Sequence, residues 1–371
     1  MSDNRYKSIL IINTFGIGDV LFSTPLIRAV KNYMPLARVD FMCNKRCQCI
    51  LQNNRHIDDV IIFEKDEFRN AFKSSKVGFI RKILEFTREI KRKKYDLAID
   101  LSLGYQISLL LRLLGVKQRI GFNYRKRGRF LTDKLDIDGF NDKHVVDYYL
   151  DVLRLIGITD FTGRDLEFSL SSVQEQWAEG FIRAKGLDDK RLIGIAPGGG
   201  KSWGSYAAYR RWDPQNFSHV AQGLSKKRDD IFFLIFGSEE EKDLCRIINE
   251  SLGGKSLGLC GQLSFPQSVA LIKRCELLLC NDGGILHVGV SQGVETVSIF
   301  GPVNDKVYGP CPPLDKHKVV RAENVECRPC YKNFKHRMCD SHDCLKKIDG
   351  GKVLSLAEES IRANNGRREK V

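Results

Sequence analysis

Short apolar runs alternate with amphipathic helical stretches along this chain, and the alternation restarts midway. That order constrains the fold most, because βαβα succession calls for a parallel sheet with helices on both faces. The first series predicts strands at Ser8–Asn13, Arg38–Cys43, Asp59–Phe63, Asp96–Leu101 and Arg119–Phe122. Helices are predicted at Val20–Tyr33 (interrupted early by Pro25), Phe79–Lys94, Tyr105–Leu114 and His144–Leu155. Gly157–Ser172 is polar and irregular and reads as a linker. The second series predicts strands at Arg191–Ala196, Ile231–Phe236, Leu277–Cys280 and Thr296–Phe300, with helices at Pro214–Ser225, Glu239–Ser251 and Leu354–Asn364. A chain of 371 residues fits two doubly wound α/β domains, residues 1–165 and 173–371, better than one long sheet. Ligands of such folds sit beyond the carboxyl ends of the strands, and the cleft between the domains is the expected site.

The stretch Glu276-Leu-Leu-Leu-Cys-Asn-Asp-Gly-Gly-Ile-Leu-His-Val-Gly-Val-Ser-Gln-Gly293 reads as strand, turn and helix. Such a turn leaves free N–H groups at a helix N-terminus, where the dipole favours an anion such as a phosphate. Asp282 can cap that helix, and His287 lies about one turn in. On this stretch alone the favoured reading is a capped Rossmann-type helix with a satisfied histidine. At the other end, Gly16-Ile-Gly18-Asp19 resembles a dinucleotide fingerprint but has Leu21 where the third glycine belongs. Asp40, at the distance of a ribose-binding acid, lies inside a strand. Asp19 at a helix N-terminus is either an ordinary cap or a carboxylate able to take a proton from an attacking sugar hydroxyl.

Resemblance separates these readings. Gly16-Ile-Gly-Asp-Val-Leu-Phe-Ser-Thr-Pro25 with Arg28-Ala-Val-Lys-Asn-Tyr-Met-Pro35 resembles the N-terminal signature of glycosyltransferase family 9, the lipopolysaccharide heptosyltransferases. Asn281-Asp-Gly-Gly-Ile-Leu-His287 with Ser298-Ile-Phe-Gly-Pro302 resembles its C-terminal signature. Ile195-Ala-Pro-Gly198, Arg211-Trp212 and Phe236-Gly-Ser-Glu239 fall between them in the family's order. The resemblance implies a GT-B fold: two Rossmann-like domains, the first for the acceptor and the second for a nucleotide sugar such as ADP-heptose. It also implies inverting transfer without a catalytic metal. Asp19 then corresponds to the general base and Gly18 lies on the acceptor side. Asp282 and His287 correspond to donor-site residues, Gly283, Gly284 and Ile285 to the segment holding the diphosphate, with Gly198 nearby. Glu239 or Glu241 corresponds to the acid near the ribose, and Lys201, Arg210 and Arg211 are candidate cations for the leaving diphosphate. Two departures stand out: Gly283 replaces the family's usual Ser or Thr, and Pro197–Trp212 is longer and richer in glycine. A nucleotide-sugar epimerase of the same fold and a non-catalytic nucleotide-sugar-binding protein are the alternatives.

The 60 Lys and Arg against 46 Asp and Glu give a formal charge of +14, which points to an anionic partner. Arg81, Lys82, Arg88, Lys91, Arg92, Lys93 and Lys94 read mostly as a solvated helix face. Lys117, Arg119, Arg125, Lys126, Arg127 and Arg129 form a second cluster, and Arg125–Arg129 suit an anionic lipid-linked glycan acceptor. Peripheral contact with an anionic inner leaflet is expected from the same charge, and no nucleic-acid module is visible. No run approaches the roughly 20 apolar residues of a membrane span, and no signal peptide is visible, so a cytoplasmic location is expected. Most of the 12 cysteines are then expected to be reduced or metal-bound. Cys327-x2-Cys330-x8-Cys339-x4-Cys344, with His336 and His342 among them, has the spacing of a structural zinc site. Cys43, Cys47 and Cys49 read as core or surface thiols, and Cys245, Cys260, Cys275 and Cys280 as core.

Overall fold

The computed structural model describes residues 5–161, 163–200, 204–335, 337 and 339–368. The chain forms two compact units, residues 1–169 and 170–371. In the first, the elements are β1 (Ser8–Ile12), α1 (Ile17–Phe22), α2 (Thr24–Tyr33), β2 (Arg38–Cys43), α3 (Gln48–Leu51), β3 (Asp59–Ile62), α4 (Lys65–Ser74), α5 (Lys76–Lys93), β4 (Leu97–Asp100), α6 (Gln106–Leu113), β5 (Gln118–Tyr124), β6 (Asp133–Ile137) and α7 (Val145–Val152). The second follows with α8 (Ser172–Ala184), β7 (Arg191–Ala196), α9 (Pro214–Lys227), β8 (Ile231–Ile235), α10 (Lys242–Ser251), β9 (Ser256–Gly258), α11 (Phe265–Ile272), β10 (Leu277–Asn281), α12 (Gly284–Ser291), β11 (Glu295–Phe300), α13 (Asp305–Tyr308), β12 (His317–Arg321), α14 (Asp343–Lys346) and α15 (Gly350–Arg368).

Each unit holds a six-stranded parallel sheet, ordered β3-β2-β1-β4-β5-β6 in the first and β12-β11-β10-β7-β8-β9 in the second. Numbered from its own first strand, each sheet reads 3-2-1-4-5-6. The order therefore reverses between β1 and β4, and again between β7 and β10, opening a crevice at each reversal where ligands of doubly wound folds bind. The central strands are apolar throughout, as two-sided burial requires: Ile9, Leu10, Ile11 and Ile12 are fully buried. Leu10, Ile12, Met42 and Ala98 pack with Ile90, Ile107 and Leu111 from α5 and α6. In the second unit Ile193, Ile195, Phe233, Leu277 and Val297 pack with Trp212, Phe217, Ile248 and Ala357. No helix among the described residues is long and apolar enough to cross a membrane.

Several expectations are corrected. Val20–Tyr33 is two helices, parted at Ser23, because Pro25 occupies the first turn of α2 rather than a helix interior. Asp40 is not open to a ribose. Its buried carboxylate accepts from Tyr95 Oη (2.7 Å), Lys93 Nζ (2.9 Å) and Arg38 Nε (3.0 Å). Lys93 and Arg119, both counted among the exposed basic clusters, are inward-turned. Arg119 donates to the carbonyls of Lys117 (3.1 Å) and Phe130 (2.8 Å), fixing the entry to β6. Cys245 and Cys260 are core residues but not thiols: a disulfide joins them. Gly237 leaves room for it, since a Cβ there would stand 2.9 Å from the Cys245 sulfur.

Candidate functional site

In the second unit the reversal point lies between the ends of β7 and β10, and a buried amide ties the two ends together. Asn281, the last residue of β10, donates through Nδ2 to the Pro197 carbonyl (2.7 Å) and accepts at Oδ1 from the Trp212 N–H (3.0 Å). The turns at Pro197–Gly200 and Asp282–Gly284 are thereby held side by side. Asp282 is 2% exposed, and its carboxylate stands 2.8 Å from Nη2 of the equally enclosed Arg210. Burial pushes its pKa up and the Arg210 guanidinium opposes that shift. Asp282 thus acts as the counter-ion that seats Arg210 at the crevice.

Gly283 caps α12 in an extended conformation and offers no side-chain cap to the first N–H groups of the helix. Those groups, on Gly284 and Ile285, make an anion-binding end. His287 is buried within the first turn of α12. A Cβ on Gly283 would meet nothing nearer than the Gly199 carbonyl at 3.7 Å, an ordinary contact, so a side chain there would not clash. Gly198 is the opposite case: its Cβ would lie 2.0 Å from Oε1 of Glu241. Glu241 fills that position, accepting from the N–H groups of Ser238 (3.0 Å) and Gly200 (3.2 Å), with Arg211 Nη2 at 3.6 Å. Of the two acids left open by the sequence, Glu241 therefore lies against the β7 turn. Glu239 points outward, bonded to Lys242 at 3.1 Å and largely exposed. Lys201 lies outside the described residues.

The first unit builds its reversal point in the same way. Asn13, fully buried just beyond β1, donates to the Asp19 carbonyl (3.1 Å) and to Ser23 Oγ (2.9 Å) and accepts from the Phe15 N–H (3.2 Å). Asn44 anchors the same turn from beyond β2, donating to the Thr14 carbonyl (3.3 Å). Asp19, with Gly18 beside it, is half-buried in α1, and its Oδ2 reaches back to accept from the N–H of the N-cap residue Gly16 (3.2 Å). Across the reversal point, Asp100 ends β4 in register with Ile12. It is 2% exposed, and burial raises its pKa to about 7 despite the Ser102 N–H at 3.0 Å. The sequence reading missed Asp100, Asn13 and Asn44, and it gave Asn281, though part of the C-terminal signature, no role of its own. Their common signal is a polar residue in or just after the last position of an apolar strand.

Arg125, Lys126, Arg127 and Arg129 project from the β5–β6 turn, where Arg125 and Lys126 adopt left-handed φ values of 51° and 59°. Arg125 lies 5.0 Å from the centroid of the Tyr124 ring, and Arg129 lies 4.8 Å from each of Tyr105 and Phe130. Among the described residues none of these four cations makes an ion pair, so the turn presents charge held by aromatic faces rather than neutralised by acids.

Cys327, Cys330, Cys339 and Cys344 line one pocket with His342, Tyr206 and Tyr209. Burial raises the Cys344 thiol to about 11, whereas the N–H of His342, 3.4 Å away, lowers Cys339. Among the described residues no three His, Cys, Asp or Glu side chains form a ready-made ligand set; His336 lies outside those residues.

Comparison with known proteins agrees with this fold. The profile of "Glycosyltransferase family 9 (heptosyltransferase)" matches residues 83–339. Lipooligosaccharide heptosyltransferase 2 of Campylobacter jejuni is 24% identical over 359 residues, covering 93% of this chain and 96% of that protein. The crystal structure of a family 9 glycosyltransferase from Veillonella parvula superposes with a TM-score of 0.78 at 25% identity, over 98% of this chain and 99% of that one. The fold of Escherichia coli ADP-heptose lipopolysaccharide heptosyltransferase II also matches, with a TM-score of 0.74 at 21% identity and coverage of 96% and 99%.

Proposed function

The chain belongs to glycosyltransferase family 9, and we propose that it transfers heptose from an ADP-activated donor to a lipopolysaccharide-core acceptor, with inversion and without a metal in the chemistry. The observation that carries this reading is the uncapped, glycine-led N-terminus of α12 at the reversal point, flanked by the Arg210–Asp282 pair. The N–H groups of Gly284 and Ile285 would receive the diphosphate. Arg210 and Arg211, with Lys201, would offset the charge that grows on it as the sugar–phosphate bond breaks. His287 would belong to the same donor pocket, and Glu241, rather than Glu239, would take the ribose side. Asp19 would accept the proton of the acceptor hydroxyl while that oxygen bonds to the anomeric carbon and the bonding electrons leave with the nucleotide diphosphate. Arg125, Lys126, Arg127 and Arg129 would hold an anionic part of the acceptor. These fixed dipoles and cations supply the stabilisation that a catalytic metal would otherwise provide.

The test is thermal stabilisation of the purified protein by ADP-heptose, ADP and GDP-, UDP- and dTDP-sugars, with NAD as control. Stabilisation by ADP-heptose and ADP supports the proposal. Stabilisation by another nucleotide sugar replaces the donor, and stabilisation by NAD alone overturns the reading.

For Cys327, Cys330, Cys339 and Cys344 we infer a structural zinc. All four thiols face one pocket, and ligation would draw them into a tetrahedral set. Protein purified without chelator should carry about one zinc per chain. Absence of the metal from such protein removes the assignment.

A further inference from the structure

The α4–α5 hairpin carries a surface that glycosyl transfer does not explain. Phe72 is 59% exposed, Val77 77%, Ile80 56% and Leu84 47%, four of the ten large exposed apolar side chains found among the described residues. They lie within 13 positions of one another. On α5, at about 100° per residue, Val77, Ile80 and Leu84 fall within an arc of about 60°. The face of α5 that meets the core is a different one: Ile90 is buried, Phe86 packs against it, and the Phe86 ring lies 5.5 Å from that of Phe63. The helix therefore has two apolar stripes, and only one is covered.

The uncovered stripe is set in positive charge. Residues 65–94 contain eleven Lys and Arg against four Asp and Glu, a net +7, which is half of the formal +14 of the chain. Arg81, Arg88, Lys91 and Arg92 fall on the same side of α5 as the exposed stripe. Arg88, Lys91 and Arg92 make no ion pair among the described residues, whereas Lys93, on the other side, is drawn inward to Asp40. An exposed face that mixes aliphatic side chains with unneutralised cations matches the boundary of an anionic bilayer, where the stripe enters the acyl edge and the cations meet headgroups. Val77, Ile80 and Leu84 give nucleic-acid bases nothing to stack on, and the one aromatic ring of the face, Phe72, already meets the Phe79 ring edge-on at 5.2 Å. A second copy of the chain would bring +7 against +7.

The placement suits such a surface. The hairpin leaves the sheet at the carboxyl end of β3, and α5 returns to the amino end of β4. The stripe occupies the first half of α5, on the edge of the sheet from which β1 delivers Asp19. We propose that the exposed face of α4 and α5 docks this protein on an anionic lipid leaflet through Phe72, Val77, Ile80 and Leu84, with the surrounding Lys and Arg supplying charge. This goes beyond the transfer reaction and does not depend on which sugar is moved.

The test is co-sedimentation of the full chain with vesicles of 30% phosphatidylglycerol in phosphatidylethanolamine and with vesicles of phosphatidylcholine alone. Affinity for the anionic vesicles should be at least about tenfold higher and should weaken in 0.5 M salt. The variant Val77→Ser/Ile80→Ser/Leu84→Ser truncates side chains that are about half exposed or more, so it should stay folded, with its stabilisation by ADP matching the parent. Its affinity for the anionic vesicles should fall about tenfold or more. Parent-like binding by that variant overturns the proposal, and so does loss of binding only in Arg125→Glu/Arg127→Glu/Arg129→Glu. If the parent ignores vesicles but self-associates in a way that the Ser variant abolishes, the face belongs to a second copy and the proposal fails.

Discussion

Asp19 lies in α1, the helix that follows β1, and Asp100 is the last residue of the neighbouring β4, yet the chain treats their carboxylates differently. Asp19 is half-buried with its Oδ2 on the Gly16 N–H, a bond that asparagine can also accept. Asp19→Asn should therefore leave α1 intact. If Asp19 is the base, kcat falls on the order of 10²–10⁴-fold with the donor Kd unchanged, as steady-state kinetics and calorimetry would show. Unchanged turnover would remove it from the mechanism. Asp100 is enclosed, and its folded-state pKa of about 7 lies above the unfolded value. The native state then holds a proton that the unfolded chain releases, so Asp100 costs stability progressively as pH rises from about 4 through 7. Asp100→Asn should raise Tm at pH 8 by several degrees and change it little at pH 4. A gain independent of pH would show that ionisation of Asp100 is not the cause.

At the scale of elements, two glycines in the donor turns make opposite demands. Gly198 lies two residues beyond β7, where Glu241 already fills the space a Cβ would need. Gly198→Ala must push the Glu241 carboxylate off the Ser238 and Gly200 N–H groups, costing roughly 1–3 kcal/mol and weakening ADP binding. Gly283 is extended and a Cβ there would make only ordinary contacts, so Gly283→Ser should be accepted and should stabilise α12 by a few tenths of a kcal/mol as an N-cap. Thermal melts and ADP titrations of the two variants would check the contrast. Equal losses would mean that the turns are not packed as described. Some helices carried signals that periodicity alone does not register. Ser171 and Gln174 open α8, and Ser264 and Gln267 open α11, each pair as a capping box. The strands that went unread, β6, β9 and β12, are all edge strands of their sheets. They are short or polar because they are covered less completely, so an apolar run cannot announce them.

At the scale of the molecule, each unit has its own sheet, core and reversal point. A chain cut to residues 170–371 should fold and retain ADP-dependent stabilisation while losing all transfer activity, since Asp19 and the Arg125–Arg129 turn are gone. Circular dichroism and a thermal shift with ADP would test it. Failure of the piece to fold would show that the second unit depends on the first.

Much of the fold was legible because a two-sided sheet requires continuous apolar strands, and Ser8–Ile12, Arg38–Cys43, Arg191–Ala196 and Leu277–Asn281 carry them. The turns at Gly16–Asp19 and Asn281–Ile285 were legible for a related reason: glycine and acid at the end of such a strand mark where a helix begins and where its free N–H groups lie. What the sequence could not assign was partnership across distance. Glu241 rather than Glu239 meets Gly198, Arg210 rather than Arg211 pairs with Asp282, and Cys245 finds Cys260. Asp40 disappears among Lys93, Tyr95 and Arg38, and α5 covers one apolar stripe while leaving the other open. Each outcome depends on which segments the sheet order brings side by side. Burial and charge neutralisation are properties of that neighbourhood, so only the tertiary structure decided them.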